Sequence, residues 1–280
     1  MSTKRLLGVF AHPDDEGMIG GTLLQYHTAG VETGLIYATR GEAGGIANPA
    51  LATRETLGQV REDEARAAGA ELHVDHLWFL NYRDSGMAGM SDNQNPQALI
   101  RANAGQVVGK LVEIIRQFQP HVLITFDEMG GYKHPDHIAI YKYTTMAFHA
   151  AADYALYPEL GEAHSASKLY YGTWVRRHII MMDEWLQAQE EEGNVFRGLD
   201  INQLGLADDQ ISVTLDVERW TEAKKHAWSR HKTQKGTTAT VDHMPDELQR
   251  KLRNTEYFQL ATSRVGPDIV GENDLFARII

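Results

Sequence analysis

The chain has 280 residues, 38 acidic against 27 basic side chains, a formal charge of −11 and no cysteine. That balance excludes a global basic field for nucleic acid or anionic lipid, and the missing thiols exclude disulfides, thiol nucleophiles and thiolate metal sites. Any metal must be held by His, Asp or Glu, and the length suits one large α/β domain or a domain with an elaboration.

In chain order, residues 6–11 predict a buried strand: short, apolar and closed by the Pro13-Asp14 turn. Residues 17–28 carry apolar side chains at Met18, Ile19, Leu23, Leu24 and Tyr26, compatible with a helix packed on a sheet. A second strand is predicted over 31–38, then the glycine-rich loop 39–45, "TRGEAGG", a helix over about 54–68 and a strand over 75–80. Residues 81–97 are too polar and too punctuated by Gly, Asn and Pro for a buried element. A long amphipathic helix is expected over 98–118, a compact buried strand over 122–126, and a helix opened by His134-Pro135-Asp136-His137. Past residue 155 the rhythm weakens, with strands expected over 168–177 and 211–217 and a helix over 221–232.

Alternating strands and helices imply parallel strands joined by crossover helices, a Rossmann-like α/β sheet flanked by helices. The expectation is one unit over 1–280, with a core over 1–155 and a C-terminal α/β extension over 156–280 that shapes the pocket. Such sheets bind ligands beyond the carboxyl ends of their strands, where strand order reverses. "FAHPDDEG" (10–17) and "DEMGGYKHPDH" (127–137) both follow strands, so both should lie on that edge.

Each cluster alone reads most simply as a capped helix start, where carboxylates satisfy free N–H groups. Two such clusters after strands of one α/β pattern favour a shared metal. His12 and Asp15 can reach a common ion because Pro13 and Asp14 wrap the chain around it, and His137 completes the set from the neighbouring loop. That leaves Asp14, Glu16, His134 and Asp136 nearby as candidate proton acceptors and oxyanion partners.

"AHPDDE" together with "HPDH" resembles the LmbE or PIG-L family of zinc-dependent N-deacetylases, which hydrolyse the acetamide of N-acetylglucosaminyl compounds. The likeness extends through "TRGEAGG", "REDEARAAGA" (61–70), "GGYKHPDH" (130–137) and "HKTQ" (231–234). "RDSGMAG" (83–89) is similar to the branch containing the mycothiol-pathway deacetylase, which acts on a glucosaminyl-inositol. The resemblance implies His12, Asp15 and His137 as ligands of Zn2+, with Fe2+ an alternative, and Asp14 as general base. It implies that His134 stabilises the tetrahedral intermediate or protonates the amine, that Asp136 orients and charges His134, and that Tyr132 polarises the carbonyl. Arg61 and Asp84 match positions that hold the sugar. The substrate class is then a small-molecule N-acetylglucosaminyl compound, with the aglycone open.

Without the resemblance, Arg61 and Glu64 read as a solvated pair on one helical face, and Asp84 equally as an Asx-turn residue. Glu16 is expected to cap the next helix, Glu42 to face substrate or solvent, and His231 to line the pocket or pack. His73, His76, His149 and His243 read as structural or exposed, Glu190-Glu191-Glu192 as a solvated helix end, and Trp174, Trp185, Trp220 and Trp228 as core.

Three other readings compete. One is an amidase acting on glucosaminyl-thiol S-conjugates, and another is a non-catalytic Rossmann-like ligand-binding module, though no G-x-G-x-x-G or Walker pattern is present. The third, a non-haem iron oxygenase, usually needs an all-β scaffold. No apolar span reaches the length of a membrane crossing and the N-terminal apolar run is too short for a signal-peptide core. A cytoplasmic protein is therefore expected, with no nucleic-acid or membrane partner and with homo-oligomerisation open.

Overall fold

Leu6 to Phe10 are all buried, and Val122–Phe126 repeats the pattern. A strand with no polar face fits only the inside of a sheet covered on both sides. In the computed structural model, which describes residues 3–189, 196, 198–235, 244–266 and 272–280, these strands are adjacent within a seven-stranded sheet. β1 (Arg5–Phe10) pairs in parallel with β4 (Val122–Phe126) on one side and with β2 (Glu32–Thr39) on the other. Parallel pairing continues outward to β3 (His76–Tyr82) from β2 and to β5 (Lys168–Thr173) from β4. β7 (Thr255–Ser263) runs antiparallel to β5, and β6 (Val213–Asp216) antiparallel to β7, giving the order β3-β2-β1-β4-β5-β7-β6. The mostly parallel, helix-flanked α/β sheet is the fold class expected, with antiparallel strands confined to one edge.

Helix α7 (Thr221–Trp228) packs on both α1 (Gly20–Thr28) and α2 (Leu57–Glu71), and α3 (Ala104–Phe118) packs on α5 (Pro135–Ala152). The turn α4 (Gly130–Lys133) precedes α5. Helix α6 (Arg176–Ala188) builds a satellite apolar cluster from Ile179, Met182, Leu186, Phe196, Leu204 and Met244, and α8 (Asp246–Arg253) precedes β7.

Because β1, β2 and β3 progress one way and β4 and β5 the other, strand order reverses between β1 and β4. The segments after these two strands therefore flank the crevice in which open α/β sheets bind ligands. Away from this crevice, at the C-terminal ends of α3 and α5, Arg116 is buried. Its guanidinium donates to the carbonyls of Ala150, Ala151, Asp153, Leu156, Tyr157 and Gly161, tying the end of α5 and the loop after it to α3.

Several boundaries differ from expectation for local reasons. The helix expected from 98 begins at Ala104, because Ala102 is extended and the Asn103 side chain caps by accepting from the Gln106 N–H. Residues 15–18 form a 3-10 turn, delaying α1 to Gly20. The strand expected over 168–177 stops at Thr173 and gives way to α6. The helix expected over 221–232 ends at Trp228, which frees the following residues to turn toward the crevice.

Candidate metal centre and active site

After β1 the chain turns sharply. Asp15 N donates to His12 O, Gly17 N to Asp14 O, and Asp14 takes a left-handed conformation, φ 99° and ψ −22°. The turn folds the Asp15 carboxylate back onto the His12 amide, 2.7 Å away, so both side chains face the same space.

After β4, Gly130 and Gly131 supply positive φ values of 58° and 66°. A Cβ on Gly130 would lie 2.7 Å from the His137 Cβ, so glycine is required for this close approach. His134 then caps α5, its Nδ1 accepting from the Asp136 N–H, with Pro135 at the first helical position. One turn of helix carries His137 inward, where its ring stacks on Phe126 at 4.0 Å between centroids.

The two turns meet. His12 Nδ1 lies 3.2 Å from His137 Nε2 and 3.5 Å from Asp15 Oδ2, and His137 Nε2 lies 3.3 Å from Asp15 Oδ1. Donors set tetrahedrally at about 2.0–2.1 Å from a zinc-type ion stand about 3.3 Å from one another; His12 Nδ1 and His137 Nε2 meet that spacing, while Asp15 approaches them with different oxygens, Oδ2 toward His12 and Oδ1 toward His137. The outer nitrogens are also held. His12 Nε2 lies 3.2 Å from Asp136 Oδ2 and 3.5 Å from Asp84 Oδ1, while His137 Nδ1 lies 3.1 Å from the Gly130 carbonyl. Carboxylate or carbonyl partners behind each imidazole are the arrangement that fixes a ligand's tautomer. A ring nitrogen of His134 also comes within 4.8 Å of those of His12 and His137, and ligand atoms of His12, Asp84 and Asp136 lie equally close to one another, so two competing donor sets occur among the described residues.

The electrostatics follow from this crowding. Burial would lower the His12 pKa, but Asp84, Asp136 and Asp15 raise it well above the ordinary value. Burial works against ionised Asp15, yet His137 and His12 hold its carboxyl far below the usual range. Burial pushes Asp14 up to about 6, with Arg61 opposing and Asp15 reinforcing. His134 is pushed down to about 2 by burial and then by His12 and His137, so it stays neutral. Since its Nδ1 accepts from Asp136, the ring proton sits on Nε2. Burial and Asp15 push the Tyr132 hydroxyl upward, which keeps it a donor.

Other residues expected at the site take different positions. Asp136 does not back His134: its carboxylate accepts from Ser85 N (2.8 Å) and Ser85 Oγ (2.5 Å) and sits behind His12. The helix geometry dictates this, because the Asp136 amide, not its side chain, meets His134. Arg61 is 3% exposed, and its guanidinium donates to Pro13 O, Gly41 O and Asp14 Oδ2, bracing the 12–15 turn. A Cβ on Gly41 would stand 2.1 Å from Arg61 Nη1, so the glycine loop is shaped around this side chain. Asp84 is likewise buried, accepting from the amides of Gly86 (2.8 Å) and Ala43 (3.1 Å), the first an Asx turn. Glu64 is buried too, so the solvated pair with Arg61 does not exist.

Glu16 does not cap α1. Its carboxylate accepts from Asp14 N, from the Tyr37 hydroxyl and from His231 Nε2. Glu42 accepts from the Asp84 amide. Tyr132 is half-buried, with its ring centroid 5.2 Å from that of His137 and stacked at 6.3 Å against Trp174. Trp174 and Trp185 pack on the satellite cluster and Trp220 on the main core, all three half-buried, while the ring of half-buried Trp228 lies beside that of His231. His73, His76 and His149 are exposed, and His243 and Glu190-Glu191-Glu192 lie outside the described residues. Ser85 and the Gly130 carbonyl were not foreseen. Only the position of Ser85 directly after Asp84 could have pointed to it.

Residues 7–148 match the family model PIG-L, GlcNAc-PI de-N-acetylase. The chain is 34% identical, over 98% of both sequences, to 1D-myo-inositol 2-acetamido-2-deoxy-alpha-D-glucopyranoside deacetylase of Geodermatophilus obscurus. It is 35% identical to the protein of the same name from Rhodococcus erythropolis, covering 98% of this chain and 97% of the other. Among solved structures, N,N'-diacetylchitobiose deacetylase from Pyrococcus horikoshii superposes with a TM-score of 0.62 at 19% identity, over 92% of this chain and 84% of that one. The paired turns and the match to both family and full-length relatives place this chain in the PIG-L family.

Proposed function

We propose that this protein is a metal-dependent N-deacetylase that releases acetate from an N-acetylglucosaminyl compound, the glucosaminyl-inositol named for its relatives being the leading substrate. One observation carries the reading: His12 Nδ1 and His137 Nε2 stand 3.2 Å apart with a carboxylate oxygen of Asp15 within 3.5 Å of each, and Asp14 is the residue next to Asp15. A zinc-type ion bound there supplies a Lewis acid for the acetyl carbonyl and lowers the pKa of water.

The remaining work falls to the chain's own groups. Asp14, raised to about 6, accepts the proton of the attacking water near neutral pH and returns it to the leaving nitrogen. His134 Nε2–H and the Tyr132 hydroxyl donate to the oxygen that becomes negative as the carbonyl turns tetrahedral. Arg61 holds Asp14, and Asp136 and Asp84 hold His12, so neither Arg61 nor Asp84 is needed as a sugar ligand. A groove lined by Glu42, Asn81, Arg83, Gln97, Arg101 and Asn103 adjoins this layer through Glu42, and its polar lining suits a hydroxyl-rich aglycone. The segment after residue 155 contributes Trp174, stacked on Tyr132, and His231, bonded to Glu16, which supports reading it as part of the same unit.

The test is acetate release from a panel of N-acetylglucosaminides, with metal quantified on the same sample. Turnover of the inositol conjugate in proportion to bound metal supports the reading. Turnover of thiol S-conjugates alone would transfer it to the amidase, and no turnover with metal bound would remove it.

A further inference from the structure

Asp14 combines two demands that conflict. It carries the proposed proton transfer, and it sits in a left-handed backbone conformation that a non-glycine residue adopts only when its surroundings impose it. The imposing group on the backbone side is Glu16, whose Oε2 accepts from the Asp14 amide at 2.8 Å. Glu16 is itself 2% exposed, and a buried carboxylate holds one orientation only if its donors fix it. Two side chains do so, the Tyr37 hydroxyl at 2.7 Å on Oε2 and His231 Nε2 at 2.5 Å on Oε1.

His231 arrives from the far end of the chain and is fully buried. The residues after it are pinned as well. Thr233 donates to Glu64 through both its amide and its hydroxyl, Gln234 donates to the Gly45 carbonyl, and the Ala47 amide donates to the Thr233 carbonyl. Glu64 stands one helical turn after Arg61 on α2, and Arg61 grips the Asp14 carboxylate and the Pro13 carbonyl. One short segment therefore reaches the supports of Asp14 from two sides, the backbone through Glu16 and the side chain through α2. The other ring nitrogen, His231 Nδ1, is buried with no hydrogen-bond partner among the described residues. An apolar side chain of similar size would fill the space without that cost, so packing alone does not account for a histidine here.

From this geometry we infer that His231 is a positioning residue for the reaction: through Glu16 it fixes the backbone at Asp14 and so the aim of the Asp14 carboxylate. The inference rests on the deacetylase reading and assigns the 231–234 turn a part in turnover that neither metal binding nor substrate contact requires.

The experiment uses the metal-loaded full chain and 1D-myo-inositol 2-acetamido-2-deoxy-alpha-D-glucopyranoside as probe, assayed well below the melting temperature of each variant. His231→Leu is expected to lower kcat by on the order of 10–100-fold with KM and metal content unchanged. His231→Gln keeps an N–H for Glu16 and restores most of the rate, and Tyr37→Phe gives a smaller loss of the same kind. In an Asp14→Asn background, His231→Leu should cost less than about twofold further, since it then has no base to aim. An unchanged kcat in the His231 variants alongside an active wild type overturns this inference alone. So does a further loss in the Asp14→Asn background as large as in wild type. An inactive wild type overturns the deacetylase reading, and this inference with it. Should His231→Leu fail to fold, His231→Gln and Tyr37→Phe decide the matter.

Discussion

The tripeptide His-Pro-Asp occurs twice at the sheet's carboxyl edge, and its two copies do opposite things. At 12–14 it lies in a tight turn, the histidine faces the donor cluster, and the aspartate is thrown into a left-handed conformation beside it. At 134–136 it opens α5, the histidine caps the helix, and the aspartate turns away to brace His12 from behind. The fourth residue is the common element: Asp15 and His137 both point at the shared centre. Residue identity thus supplies a stock of polar groups, while the backbone conformation of the third residue decides which faces the cluster beside Asp15 and which braces His12 from behind.

Exchanging carboxylate for amide at the two third positions should separate these roles. Asp14→Asn is expected to lower kcat by about 10²–10⁴-fold while metal stays bound, measured as acetate release with metal content on the same preparation. Near wild-type turnover would remove Asp14 as the base. Asp136→Asn should act in the other currency and weaken metal affinity by roughly 10–100-fold, read by competition with a chromogenic chelator. A variant with unaltered affinity would mean that Asp136 does not support His12.

The acid–base balance gives a third handle. In the metal-free protein His12 holds a proton, because Asp84, Asp136 and Asp15 outweigh its burial. An ion must displace that proton, so apparent metal affinity should climb with pH, by up to about tenfold per unit, until the raised His12 value is passed. A flat profile through the neutral range would contradict the placement of His12 in the donor set.

The smallest expected effect concerns the backbone itself. At position 14, Gly should be more stable than Ala by about 1 kcal/mol, because the residue lies at positive φ. At position 136, in the first turn of α5, Ala should exceed Gly by a few tenths to about 1 kcal/mol. Two comparisons of the same sign by urea unfolding would mean that the copies do not differ in backbone as described.

Much of this arrangement was legible beforehand. The runs Leu6-Leu7-Gly8-Val9 and Val122-Leu123-Ile124 announce buried strands through their composition alone, and the polar clusters that follow must then lie on one edge. His12 and Asp15 could be expected at that edge because they follow β1 within five residues, and His137 because its cluster opens the helix after β4. What the sequence hid depends on contacts between distant residues. Ser85 meets Asp136 across 51 positions and His231 meets Glu16 across 215, and no local pattern encodes either. Arg61 and Asp84 were expected at the sugar from the resemblance alone; the contacts each makes with the turns around it are again between distant residues. β7 escaped notice because its burial is broken by half-exposed residues along its length, and α6 because its apolar side serves the satellite cluster and not the main sheet.

X-ray absorption at the metal edge of the zinc-loaded protein, with metal stoichiometry on the same sample, tests the ligand face most directly. The expected result is one ion per chain with two imidazoles and oxygen donors at about 2.0–2.2 Å, unchanged in His134→Ala and lost in His137→Ala. A spectrum requiring three imidazoles, or one that changes when His134 is removed, would contradict the assignment of His12, Asp15 and His137 as the metal-holding set.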